Sequence, residues 1–183
     1  MSIQREAVTA SVDYRLSPAS TLAVGLGAGL GGFISVNPPS PGPARFAILP
    51  GYEITLSYSR RLLDGRGNLP YVLLGVSGGA SGASTQLEGE TTAPSVPFYA
   101  FDVRASVIVG KTFWNALSPY AVVRGFGGPI VWTYEGSGVI GSDRYHFQLG
   151  GGLVTVLPKG VDVFVEGVPL GERAVTLGAG KTF

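Results

Sequence analysis

RAVTLGAGKTF, residues 173–183, has a period of two. Counting back from its end, Phe183, Lys181, Ala179, Leu177 and Val175 fall on one side; Thr182, Gly180, Gly178, Thr176 and Ala174 fall on the other. One side is mostly apolar and ends on an aromatic ring, and the other is small or hydroxylated. Successive side chains of a strand point to opposite faces, so this stretch is a strand with two unlike faces.

The same pattern runs back through the chain. Leu22, Val24, Leu26, Ala28 and Leu30 alternate with Ala23, Gly25, Gly27, Gly29 and Gly31. The run from Leu16 to Ala44 carries no charge, which on length alone would suit a membrane helix. Repeated glycine weakens a helix by up to about 1 kcal/mol each, and Pro38 and Pro39 close the run, so it reads as a strand and a loop. Alternation of this kind marks out about nine segments: Ala7–Leu16, Thr21–Ile34, Ile48–Arg60, Leu69–Ser81, Phe98–Phe113, Tyr120–Trp132, Tyr145–Leu157, Val161–Pro169 and the final strand. The sixth alternates poorly, and its pattern does not say which way Arg124 faces. Links alternate short and long. Longer connections at 35–47, 82–97 and 133–143 are separated by tight turns such as Ser17–Ser20 and Pro158–Gly160.

Composition narrows the class. The 183 residues suffice for one domain covering 1–183. Only 14% are charged, against roughly 25% in soluble domains, and the net charge of +1 gives no electrostatic case for nucleic acid. There is no cysteine, hence no disulfide framework and no thiolate metal site. The face opposite the apolar one is rich in Gly, Ser and Thr: Gly25, Gly27, Gly75, Ser77, Gly79 and Gly152 are examples. Water-facing strands carry Lys, Glu and Arg instead, whereas a narrow lumen needs small residues. The reading is therefore all-β: an antiparallel up-and-down transmembrane β-barrel of about 8–10 strands, apolar outside. Aromatics form two bands in this topology, with Tyr52, Tyr99, Phe101, Trp132, Tyr134, Tyr145 and Phe147 at the outer rim. Tyr14, Tyr58, Phe113, Trp114, Tyr120 and Phe183 mark the inner rim.

Taken whole, the chain resembles small bacterial outer-membrane barrels of the OmpA-like or opacity-like type. The resemblance rests on pattern over nearly the full length and on the closing alternation. It implies a bacterial outer-membrane location, the lipid bilayer as partner, and a monomer. It also implies recognition by the barrel-assembly machinery through Val175, Leu177, Ala179 and Phe183; Lys181 departs from the usual apolar residue. MSIQREAVTAS is not a signal peptide. Barrels of this kind have even strand numbers, so nine segments imply a ten-stranded parent whose first strand lies upstream of Met1; eight strands with one miscounted is the alternative.

Candidate chemistry is sparse. Asp13, Arg15, Glu53, Asp102, Arg104 and Glu166 share the small-residue face, and His146 and Gln148 fall on it too. Buried charges must pair, so these eight residues are expected to form a polar network across the lumen. Eight to ten strands leave little open width, which favours a plugged barrel over a pore. His146 is the only histidine, and a hydrolase site would need a serine and an acid beside it on the lipid side. Gly27, Gly29 and Gly32 match a dinucleotide spacing without the helix it requires. Gly-Lys-Thr occurs at 110–112 and 180–182 without the upstream glycine of a phosphate loop. No catalytic residue, metal or cofactor is expected. A narrow porin-like channel and a soluble lipocalin-like binder are the alternatives to a structural or surface membrane protein.

Overall fold

The computed structural model describes residues 2–36, 44–89, 94–134, 137–142 and 146–182. Its fold is all-β and antiparallel. Twelve strands make one sheet: β1 (Ser2–Ser17), β2 (Ser20–Val36), β3 (Ala44–Ile48), β4 (Gly51–Asp64), β5 (Tyr71–Leu87), β6 (Val96–Gly110), β7 (Leu117–Gly127), β8 (Pro129–Tyr134), β9 (Ser137–Ser142), β10 (Phe147–Leu157), β11 (Val161–Leu170) and β12 (Ala174–Lys181).

Some of these strands are halves of one rung. Along β2, residues 32–36 pair with β3 and residues 20–29 pair with β4, so β3 and β4 are one rung interrupted at Leu49-Pro50. Along β6, Phe98–Ala100 pair with β8 and Val103–Gly110 pair with β7, the break falling at Gly128. A Cβ at Gly128 would run into the backbone of Phe101, so the chain can approach β6 there only without a side chain. β9 pairs with β8 as β10 pairs with β7. The described residues thus form nine rungs, matching the nine alternating segments, although the stretch read as a third long connection contains β9.

The sheet curls around its small-residue face. Arg5 of β1 donates from Nη1 to Ser81 Oγ of β5, three rungs on, at 2.8 Å. Outward-facing Leu26 is 64% exposed, Val103 68% and Leu177 75%, whereas the glycines alternating with Leu26 are partly or fully buried. A bulge in β2 changes the parity once. Glu6 pairs with Gly31 and Ala7 with Gly29, which skips Leu30. Gly31 and Gly32 take φ of 133° and 151°, where only glycine is unstrained. Beyond this bulge the apolar residue turns inward, and Ile34 is fully buried.

Ile34 joins Ile48, Phe98 and Trp132 in a buried apolar cluster at the end of the sheet that carries the longer links. Trp132 Nε1 donates to Thr85 Oγ1 at 2.8 Å, and its ring meets Phe46 edge-on at 5.0 Å. Trp132 therefore belongs to the interior and not to an outer aromatic band. Tyr52, Tyr99, Phe101 and Phe147 at that end, and Tyr14, Phe113 and Trp114 at the other, do lie exposed. Tyr120 points inward. Tyr145, Phe183 and the side chain of Tyr134 lie outside the described residues.

Inside, aromatic rings lie over directly paired glycines of the neighbouring rung. Tyr120 covers Gly152 and Phe164 covers Gly178. A side chain on either glycine would occupy the volume of the ring. Gly180, two residues further along β12, faces open space. Gly178→Ala should therefore cost about 1–3 kcal/mol by forcing Phe164 aside, while Gly180→Ala should stay within about 0.5 kcal/mol of the parent. Urea unfolding midpoints of the two variants check this.

Candidate functional site

The polar interior is assembled from alternate residues of facing rungs. On β7, Tyr120, Val122, Arg124 and Phe126 all turn inward. On β11, Phe164, Glu166 and Val168 do so. β10 lies between them, and its inward residues are Gln148, Gly150 and Gly152. Two glycines in the middle rung leave room for side chains to meet across it. Arg124 and Glu166 meet there: Nη1 lies 2.7 Å from Oε1, and Nη2 donates to Oε2 at 2.8 Å. Tyr120 also donates its hydroxyl to Oε2, at 2.9 Å. The bidentate fork and the phenol satisfy a carboxylate whose residue is only 8% exposed.

A second group adjoins the first. Arg104 contacts Asp102, two residues before it on β6, and reaches Glu172 in the β11–β12 link at 3.6 Å. Gln148 donates from Nε2 to Glu172 Oε2 at 2.8 Å. It is 2% exposed, and its Oε1 has no hydrogen-bond partner among the described residues. Phe126 stacks near the Arg104 guanidinium at 5.7 Å. A pocket of about 350 Å³ lies between the two groups, lined by Arg104, Arg124, Gln148, Phe164, Glu166 and Thr176 among others. A third group sits across the sheet, where Arg5 lies 3.7 Å from Glu53 and bonds Ser81.

The structure thus brings Glu53, Asp102, Arg104, Gln148 and Glu166 into the interior in pairs, but in separate groups and not in one network. Three expected members depart from it. Asp13 and Arg15 lie on the proper face of β1 but are exposed, and neither makes an ion pair among the described residues. Among the described residues β1 pairs only with β2, which sets Ala23 and Thr21 opposite them. His146 is exposed at the start of β10, where its carbonyl accepts from the Phe126 amide at 2.9 Å. The side chain sits at the rim, not in the lumen. Arg5, Tyr120, Arg124 and Glu172 are the partners that alternation did not reveal. Of the assembly-signal residues, Val175, Leu177 and Ala179 share the exposed outer face of β12, and Phe183 lies outside the described residues.

No protein-family model matches the chain, and no curated protein or solved structure is detectably similar to it. No group of three or more His, Asp or Glu side chains that could hold a metal ion occurs among the described residues. What the arrangement can do chemically is hold charge in a narrow space. Arg124 neutralises the Glu166 carboxylate, while Arg104 is shared between Asp102 and Glu172. Arg124→Met should strand the Glu166 carboxylate and cost about 3 kcal/mol. Arg124→Met with Glu166→Leu should recover most of that loss, which urea titration of the two variants would measure.

Proposed function

We propose that this chain is a non-enzymatic integral β-barrel protein of the bacterial outer membrane, with a structural or surface role and a narrow, plugged lumen. The observation that carries the reading is the sense of its two faces. Long apolar side chains point away from the sheet's interior, while the ion pairs and glycines point into it. A soluble barrel or sandwich packs its apolar faces together and shows its charges to water. The opposite arrangement suits a hydrocarbon solvent. Among the described residues no helix is long and apolar enough to span a bilayer, which leaves strands as the spanning elements of this reading.

Two levels of interior filling support a plug over a pore. Ile34, Ile48, Phe98 and Trp132 fill one end with apolar volume. The Arg124–Glu166 and Arg104–Asp102 groups cross the middle. A porin-like channel is the second reading, and the pocket of about 350 Å³ beside Arg124 is the observation in its favour. Assembly by the barrel-insertion machinery through the outer face of β12, and a monomeric state, belong to the first reading.

Refolding from urea should give a β-rich species only when detergent micelles are present, and that species should migrate differently on a gel before and after boiling. Folding in plain buffer would overturn the membrane assignment. In planar bilayers the refolded protein should pass no resolved unitary current. Steady currents that change with Arg124→Ala would favour the channel.

A further inference from the structure

We infer that the tight-turn end of the sheet is a basic rim that holds anionic phospholipid headgroups. The inference rests on the membrane reading and goes beyond it by naming the lipid.

The strands deliver charge unevenly to their two ends. Arg15 lies beside the β1–β2 turn, Arg60 and Arg61 come near the end of β4, and Arg66 sits in the turn that follows. Lys111 follows β6, Lys159 stands in the β10–β11 turn and Lys181 ends β12. All of these fall at one end of the sheet because successive rungs pair antiparallel. The acidic residues there are Asp13, Asp64 and Asp162. Of the 13 basic and 12 acidic residues in the chain, this end takes seven and three, and the rest of the sequence holds six and nine. A net charge of +1 therefore conceals one strongly positive end.

Two of the cations continue outward-facing columns. On β4 the series Ile54, Leu56, Tyr58 ends on Arg60; on β12 the series Val175, Leu177, Ala179 ends on Lys181. Both cations are exposed, and exposed Tyr14, Phe113 and Trp114 share their end. A long cationic side chain just beyond the last apolar residues reaches the level where headgroup phosphates lie. This gives Lys181 a use at a position where an apolar residue is usual.

The acids of this end do not cancel its charge. Asp64 lies 3.8 Å from Arg61 and 3.6 Å from Arg66, so one carboxylate serves two guanidiniums. Lys111 directs its hydrogen bonds to the carbonyls of Gly65 and Leu69, which carry no net charge to offset it. Arg60 and Lys159 are exposed and make no ion pair among the described residues. At the long-link end, by contrast, Arg45 meets Glu88 at 2.9 Å. The cations are spread over the ends of five strands and not gathered into one patch. Such a spread suits a ring of separate headgroups better than a continuous polyanion. A zwitterionic headgroup brings its own ammonium to the rim, whereas an anionic one brings an uncompensated phosphate, so the rim favours the anionic lipid.

The chain carries its own reporter. Of its two tryptophans, Trp114 is 85% exposed at this rim and Trp132 is 3% exposed in the cluster at the other end. The protein is refolded into phosphatidylcholine vesicles holding the same small fraction of spin-labelled phosphatidylglycerol or spin-labelled phosphatidylcholine. Trp114 fluorescence should be quenched more by the phosphatidylglycerol probe. The difference should fade in about 1 M NaCl, where the screening length falls to about 3 Å. Arg60→Gln and Lys159→Gln should each lower the preference by up to about fivefold, and either one suffices if the other does not fold. Arg173→Gln, at an exposed residue of the long-link end, should leave it unchanged. Equal quenching by the two probes, a preference that survives loss of both Arg60 and Lys159, or an equal drop in Arg173→Gln overturns the inference. Folding in plain buffer would remove the membrane reading and this inference together; protein that inserts into vesicles but is quenched equally removes the inference alone.

Discussion

Interior volume is the constraint on which this structure depends. A strand sheet rolled to nine rungs has room inside for few side chains, and the chain spends that room on charge. The Glu166 carboxylate is tolerable at 8% exposure because Arg124 and Tyr120 reach it across β10. They can reach it because β10 offers Gly150 and Gly152 between them. Tyr120 itself lies over Gly152, so the same glycine that yields the space also positions the phenol. Changing any one of these five residues alters the fit of the others. The glycine content, unusual for strands because glycine weakens them, follows from this demand for space.

The ends of the interior are filled by different means. At the long-link end the parity change in β2 turns Ile34 inward to meet Trp132 and Phe98. At the tight-turn end Lys111 gathers the carbonyls of Gly65, Gly67 and Leu69, holding the 65–70 turn against the end of β6. The Gly-Lys-Thr at 110–112 thus has a structural use, with its lysine bonding backbone oxygens rather than a phosphate. The pocket of about 350 Å³ lies within the charged middle, lined by Arg104, Arg124, Gln148 and Glu166.

How much of this was legible follows from parity. Where outward residues are large and inward ones small, as in β2, β6 and β12, the faces are plain from the sequence. β7 hides its sense because its inward residues, Tyr120, Val122, Arg124 and Phe126, are as large as its outward ones. Its partner choice could be read only once β11 was known to lie two rungs away. Trp132 looks like a membrane-interface residue because it is aromatic and near a strand end, yet it keeps the parity of Phe126 and the other inward residues of β7 and lies inside. Glu172 belongs to a link, where alternation says nothing. Asp13 and Arg15 were assigned to the correct face, but pairing needs a neighbour as well as a face, and an edge strand has one neighbour only.

That last point connects the interior to the boundary. Three inward charges flanked by rungs on both sides have partners, Glu53 with Arg5, Asp102 with Arg104 and Arg124 with Glu166, whereas Asp162 of β11, flanked likewise, makes no ion pair among the described residues. Asp13 and Arg15, exposed and without an ion pair among the described residues, sit on β1, which pairs there only with β2. Pairing therefore follows reach across the interior: Arg124 and Glu166 meet over the glycines of β10, while Asp162 lies between Val156 and Gly180, neither of which offers a partner.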